Sequence, residues 1–221
     1  MGLALDVVGE SGLKFYGKMC AALTHEMKNA LAIINENVGL LQDYNLMAQR
    51  GTPLTPERFS VLSQRMVEQI DRANGLLQVM NRFSHGVDEF VTQVDLKELL
   101  LFVAKLSERF ASVKGISVEV QPGAHKAVVT SSPFLLQNLV WLCIDFAMDN
   151  MESGSVLKLT ADLTPEGARL TFSTPGDLSA AITEFCPEFC ESALLDVLQA
   201  GIETGMQPGD LVLTIPERID Q

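Results

Sequence analysis

The chain has 221 residues, 47% of them hydrophobic, and a formal net charge of −12 at pH 7. This length and apolar content predict one or two domains with buried cores. The excess of carboxylates argues against nucleic acid or an anionic membrane as the partner. No apolar stretch reaches the roughly 18 residues of a membrane span, and the first residues lack the basic and apolar regions of a secretion signal. The four cysteines lack the spacing of a disulfide framework and predict reduced thiols in the cytoplasm.

The first part of the chain carries two long helical patterns. Between Lys18 and Ala48 apolar residues recur at helical spacing: Cys20, Leu23, Met27, Ala30, Leu31, Ile34, Val38 and Leu41. A second helix is predicted to begin at Pro56, with Thr55 as its N-cap. It carries a heptad seam of Phe59, Leu62, Met66, Gln69, Ala73, Leu76, Met80, Phe83 and Val87.

These two helices are joined by a short connection, so we expect them to be antiparallel neighbours. A single hairpin has no interior in which two such apolar stripes can cover each other completely. The simplest solution is a second copy of the chain. We therefore predict a homodimer that forms a four-helix bundle through residues 18–48 and 56–87.

The segment HEMKNALAII, residues 25–34, places one of the chain's three histidines on the first predicted helix. His25 lies about 200° around the helix from Met27, at roughly 100° per residue, and is therefore predicted to be exposed. Asn29, Ala32 and Glu36 follow it on the same polar face. Taken alone, such a histidine is most simply interpreted as a solvated surface residue.

This segment closely resembles the H-box of sensor histidine kinases, whose usual form is H-E-[LIF]-[RK]-N-P-L-x-x-I, and the helical hairpin follows at the expected spacing. The resemblance implies that His25 is a phospho-acceptor and that Glu26 takes the proton from its other ring nitrogen. Asn29 matches the position that orients an attacking water during regulator dephosphorylation. A carboxylate near one N–H of an imidazole raises the nucleophilicity of the opposite nitrogen, in agreement with these roles.

The H-box departs from the family pattern at one position, where the usual proline is Ala30. Because alanine neither removes a backbone hydrogen bond nor kinks a helix, we expect a straight helix, which suits a passive acceptor better than a kinase. The face around His25 is predicted to dock the receiver domain of a response regulator, through Lys28, Ala32 and Glu36.

The rest of the chain resembles the kinases in layout. The matching elements are a helix and a strand within 94–123, a helix over 131–151, a β-hairpin over 155–174 and a final strand over 209–216. The predicted fold class is α+β. A helical-hairpin dimerisation and phospho-acceptor domain, residues 1–92, is followed by a degenerate ATPase-like α/β sandwich domain, residues 93–221.

The nucleotide-binding motifs of that family are degenerate in this sequence. Asp145 stands for the asparagine that holds magnesium, and Trp141 replaces a second asparagine. Of the family's D-x-G-x-G motif only Pro175 and Gly176 have counterparts, and the segment 184–198 has no glycine where a glycine-rich lid would bind phosphates. We therefore expect no cofactor on this chain, with magnesium supplied by the partner receiver.

Charge and packing support the same expectation. No lysine or arginine lies between Arg169 and Arg218, whereas carboxylates are frequent there. A triphosphate would therefore meet like charges at close range. The aromatic side chains of Trp141, Phe134 and Phe146 are predicted to fill the sandwich core, in the volume that a nucleotide would otherwise occupy.

Three functions are compatible with this sequence. The favoured one is a phosphorelay histidine phosphotransferase that carries a phosphoryl group on His25 between receiver aspartates without binding ATP. The second is a non-catalytic dimeric scaffold that binds a kinase or a regulator. The third is an active histidine kinase, or a regulator phosphatase that depends on Glu26 and Asn29.

The remaining histidines and cysteines have simpler interpretations. His85 is predicted to lie at the negative end of the second helix, and His125 in a loop. Cys186 and Cys190 share a helical face, but no second pair accompanies them, so a zinc site is not expected.

Overall fold

A computed structural model of the chain describes residues 2–52, 55–123, 126–179, 181–182 and 193–219, with side chains from Val8 onwards. The chain forms two compact units. Lys18–His85 makes up one, and the other combines the residues up to Gly17 with those from Gly86 onwards. The boundary predicted between residues 92 and 93 lies near the second junction. That prediction also placed residues 1–17 with the hairpin. The units differ from it, since Phe15 packs on Phe134 of the α/β unit.

The hairpin unit contains most of helix α1, Gly2–Gln49, and all of helix α2, Pro56–Ser84. As predicted, Pro56 opens α2, and the Thr55 hydroxyl accepts a hydrogen bond from the Arg58 N–H at 3.4 Å. The helix ends with His85 as its C-cap and one 3-10 turn, His85–Val87. Val87, predicted as the last residue of the seam on the second helix, therefore lies beyond the end of α2, in the 3-10 turn.

The predicted apolar stripe on α1 divides into a buried and an exposed row. Leu23 and Ala30 are buried in the protomer, whereas Leu31 and Val38 are 53% and 40% exposed. The buried row also includes a polar residue that the stripe did not predict, Asn37, whose Nδ2 donates to the Ile33 carbonyl at 2.7 Å. One neighbouring helix can cover only one such row, and this limit explains the division.

Helix α1 begins at Gly2 rather than near Lys18, where the predicted pattern starts. The extension contains several glycines, which disfavour a helix by about 1 kcal/mol each. Contacts with the α/β unit compensate for this cost, because most helical stability in proteins comes from tertiary packing. Phe15 is 3% exposed, with its ring centroid 5.7 Å from that of Phe134, and the Ser11 hydroxyl accepts a hydrogen bond from Asn138 Nδ2 at 3.1 Å.

The described part of the α/β unit contains further helices and strands besides this segment. In chain order they are β1 Thr92–Asp95, α3 Leu96–Lys114, β2 Ser117–Val120, β3 Val128–Ser131, α4 Pro133–Asp149, β4 Val156–Thr164, β5 Gly167–Ser173, α5 Ala193–Leu198, β6 Gly201–Thr204 and β7 Asp210–Pro216. The main sheet has the order β2-β4-β5-β7-β6, and β1 pairs with β3 in a separate two-stranded sheet. Long helices followed by this sheet and its helices confirm the α+β class.

The main sheet is mixed, since β2 runs parallel to β4 and the other pairs are antiparallel. The β4–β5 hairpin turns at Pro165 and Glu166, as predicted, with Thr164 opposite Gly167. Buried residues alternate along the central strands, which leaves one face to pack against α3 and α4. Helix α3 ends at Gly115, whose φ of 67° is the left-handed conformation that favours glycine.

No helix within the described residues is long and apolar enough to cross a membrane.

The packing of the first turns of α1 on the α/β unit predicts that substitutions of Phe15 and Leu13 change the free energy of unfolding by different amounts. Phe15→Ala should lower the free energy of unfolding of the α/β unit by about 3 kcal/mol, since a buried ring is lost. Leu13, 73% exposed, is the matched control, and Leu13→Ala should change stability by less than about 0.5 kcal/mol. Urea unfolding followed by the fluorescence of Trp141, the chain's one tryptophan, measures both. Equal stabilities for the two variants would contradict the packing described.

Candidate functional site

His25 lies on α1 within the hairpin unit, and its side chain is exposed. Lys28, Asn29, Ala32 and Glu36 are exposed as well, so the face predicted to surround the histidine is open to solvent in the protomer. None of the hydrogen bonds or ion pairs formed among the described residues involves the His25 ring. The imidazole is therefore accessible to an incoming reactant.

Glu26 is oriented differently from its neighbour. Its Oε2 atom lies 2.5 Å from Nη2 of Arg72 on α2, and its side chain is only 20% exposed. Successive helical residues point about 100° apart, so Glu26 can contact the second helix while His25, the residue before it, is open to solvent. The ion pair with Arg72 restrains the carboxylate that directly follows the exposed histidine in the sequence.

Arg72 did not emerge from the sequence pattern. The two apolar stripes indicate that the helices pack together, but they do not define the register between them. In the sequence, Arg72 is one of several arginines predicted on the second helix, and any of them could pair with an acidic residue of the first helix. Only the register in the folded hairpin distinguishes Arg72 from the others.

The residue that replaces the family's proline, Ala30, is fully buried, and α1 continues through it without interruption. An alanine keeps its backbone N–H and fits closely against a neighbouring helix.

In the α/β unit, the residue matched to the magnesium-binding asparagine has a cationic neighbour. Lys114 Nζ, at the end of α3, lies 3.5 Å from Asp145 Oδ1 and 2.5 Å from Asp149 Oδ1. The Lys114 and Asp145 side chains are 29% and 23% exposed, so the ammonium is partly withdrawn from water. A magnesium ion at Asp145 would have to displace this ammonium or bind against its charge. The residues present do not fit a metal site of the family type.

Trp141 is 2% exposed and packs on Phe110 of α3, with ring centroids 4.8 Å apart. This burial agrees with its predicted role in the core. Phe134 and Phe146 are only half-buried, and Phe134 contacts Phe15 in the first turns of α1. Their predicted place in the sandwich core is therefore wrong. Phe134 packs instead on the first turns of α1, which had not been expected to contact this unit.

The segment that stands in place of the D-x-G-x-G motif is bound to the loop between β6 and β7. The Thr174 N–H donates to the Gly209 carbonyl at 3.0 Å, and the Leu178 N–H donates to the Pro208 carbonyl at 2.8 Å. A Cβ on Gly209 would lie 2.3 Å from the Gly176 carbonyl oxygen, so only glycine fits there. Backbone donors of this segment are thus engaged within the protein.

Two cavities lie elsewhere in the described part of this unit. One, of about 400 Å³, lies beside Asp95 and Lys126, and the other, of about 600 Å³, runs along α3 and β2. Neither is lined by Trp141 or Asp145. The described residues also contain no group of three or more His, Cys, Asp or Glu side chains arranged to hold a metal ion. Cys186, Cys190, His125 and most of the segment predicted to replace the lid lie outside the described residues.

No protein-family model matches the chain, and a search of curated proteins finds no match. Solved structures do match it. The nucleotide-free catalytic domain of histidine kinase ThkA aligns with a TM-score of 0.49 at 15% identity, over 58% of this chain and 96% of that domain. ThkA in complex with the response regulator TrrA gives 0.46 at 17%, over 93% of this chain and 63% of the kinase. A bacterial phosphotransferase gives 0.49 at 12%, over 91% and 95% of the two chains.

The low identities and TM-scores of these matches leave the functional argument to the residues of this chain.

Proposed function

We propose that the chain is a histidine phosphotransferase of a two-component phosphorelay. His25 takes a phosphoryl group from the aspartyl phosphate of one response-regulator receiver and passes it to the aspartate of another. The observation that carries this proposal is the exposed imidazole of His25 beside the anchored carboxylate of Glu26. Asn29, Lys28, Ala32 and Glu36 form the surrounding surface on which a receiver docks.

The transfer is balanced without a cofactor on this chain. The lone pair of one ring nitrogen of neutral His25 attacks phosphorus, and the bond from phosphorus to the receiver's aspartyl oxygen breaks. The electrons of that bond stay on the aspartate, which becomes a carboxylate. The proton on the other ring nitrogen passes to Glu26. The second receiver reverses these steps, and each receiver contributes the magnesium ion and acidic pocket that stabilise the moving phosphoryl group.

The α/β unit favours transfer over kinase activity. Lys114 forms ion pairs with Asp145 and Asp149, Trp141 is packed in the core, and the segment from Thr174 is bound to a neighbouring loop. We infer that the unit does not bind ATP and instead provides a surface on which the receiver docks. A scaffold without phosphotransfer is the alternative function, but it would not require an imidazole, a carboxylate and an amide placed together.

We also propose that the working form is a homodimer with a four-helix bundle. The exposed apolar row of α1, Leu31 and Val38, has a counterpart on α2, where Phe59, Ile70 and Leu77 are 55%, 47% and 52% exposed. Exposed apolar rows on both helices suit burial against a second copy. The free thiols of Cys20 and Cys143 fit the reducing cytoplasm in which we place this relay.

The dimer proposal predicts that a glutamate introduced on one face of α2 weakens dimerisation, whereas a glutamate on the opposite face does not. Ile70→Glu should weaken dimerisation at least about 100-fold, because two buried side chains worth about 1.5–3 kcal/mol each are lost per dimer. Val61, 51% exposed, lies about 180° around the helix from Ile70, so Val61→Glu should leave the dimer intact. Sedimentation equilibrium measures both association constants. A monomeric wild-type protein would contradict the proposal.

The phosphotransferase proposal predicts that ³²P passes from a phosphorylated receiver, and not from ATP, to His25. Incubation with a ³²P-labelled phosphorylated receiver should give an acid-labile adduct on the wild-type protein, and His25→Gln should abolish it. His85→Gln, which changes another exposed histidine, is the control and should keep the label. Label from ATP alone would indicate a kinase, and label from neither donor would favour the scaffold.

The inferred lack of nucleotide binding predicts an unchanged melting temperature in Mg-ATP. A ligand at 100 times its Kd stabilises a protein by about 2.7 kcal/mol, which raises the melting temperature of a domain of this size by several degrees. Differential scanning fluorimetry at millimolar Mg-ATP should show no such rise, whereas the catalytic domain of an active histidine kinase should show it. A rise of several degrees would establish a nucleotide site here.

A further inference from the structure

We propose that Arg72 is a positioning residue for phosphoryl transfer, acting through Glu26. Its guanidinium holds the carboxylate where it can take the proton that His25 releases. This inference rests on the proposed function and deepens it, since it adds to the site a residue on the second helix that the H-box motif does not contain.

The contact has the properties that such a role requires. Arg72 Nη2 binds the Glu26 carboxylate at Oε2, with a separation of 2.5 Å. The Glu26 side chain is mostly withdrawn from water at 20% exposure, whereas Arg72 is 49% exposed and reaches it from α2. Glutamate has three rotatable side-chain bonds, so a fixed partner removes much of the freedom that would carry the carboxylate away from the histidine.

Geometry rather than charge makes the arginine suitable. Its planar guanidinium keeps its charge at every accessible pH and fixes the direction of its N–H donors, whereas a lysine ammonium is a point charge on a flexible stem. Proton transfer requires a heavy-atom separation within hydrogen-bond reach. A displacement of about 1 Å in a reacting group can lower a rate by about 100-fold.

A purely structural role for Arg72 makes different predictions. A contact that only joins α1 to α2 would affect stability and the concentration of receiver needed for half-saturation. It would not affect the rate of transfer once the receiver is saturating. The two roles are therefore separated by the dependence of the rate on receiver concentration.

The experiment compares Arg72→Met, Glu26→Gln and the double variant in single-turnover transfer from a phosphorylated receiver to His25. Arg72→Met should slow the saturated rate about tenfold and leave the half-saturating receiver concentration unchanged. The double variant should be no slower than Glu26→Gln, because Arg72 acts through the carboxylate. Arg72→Lys should recover part of the rate. Arg65 is an exposed arginine about two turns earlier on the same face of α2, and Arg65→Met should behave as wild type.

Two results would overturn the assignment: an unchanged rate for Arg72→Met, or an additional tenfold loss when Arg72→Met is combined with Glu26→Gln. A second donor keeps this test separate from that of the proposed function. If receivers give no label on wild-type His25, the phosphotransferase proposal fails, and phosphoramidate replaces the receiver as a small-molecule phosphoryl donor. The same pattern of rates with phosphoramidate would support the role of Arg72. Equal rates, or no phosphorylation of the wild type, would overturn it.

Discussion

In a hairpin of two helices, each helix can bury only one row of side chains against the other. This constraint determines which way the remaining side chains of the hairpin unit face. Ala30 belongs to the buried row and is fully buried. The position of that row directs His25 outward and turns Glu26 toward α2, because the angles between helical positions are fixed. The apolar residues left over, such as Leu31 and Ile70, form a surface that is costly to leave in water. Packing therefore determines which residues are available for chemistry and which for association.

In the α/β unit, where a mixed sheet packs against α3 and α4, several polar residues and backbone groups pair with one another. Lys114 bridges two carboxylates of α4, and the backbone of Thr174 and Leu178 is paired with the following loop. Each interaction is weak by itself, and a partly exposed ion pair is worth about 1 kcal/mol or less. Together they engage these charges and backbone donors within the protein.

The elements that the sequence predicted are those with strong local signals. Thr55 and Pro56 mark the start of α2, and the Pro-Glu-Gly turn marks the β4–β5 hairpin. The exposure of His25 followed from helical periodicity alone. The short strands β1, β3 and β6 were not predicted, since four residues carry too little periodicity to distinguish a strand from a loop.

Contacts between distant segments account for what the sequence did not predict. The helical start of α1 depends on packing around Phe134, which no local pattern encodes. The contacts of Arg72 and Lys114 depend on the register of one helix on another, which is set only in the folded protein. The candidate site was therefore predictable for the residues on α1 and not for the partners that position them.

The Lys114 bridge also bears on how readily such a chain could change its activity by evolution. Replacing Asp145 by asparagine, the first step toward a metal site, would leave Lys114 with half of its present acidic surroundings and no new ligand. Removing Lys114 first would leave two carboxylates one helical turn apart without their shared cation. Either order passes through a less stable intermediate with nothing gained in return. The Lys114 bridge therefore disfavours a metal site at Asp145 that would arise by one substitution at a time.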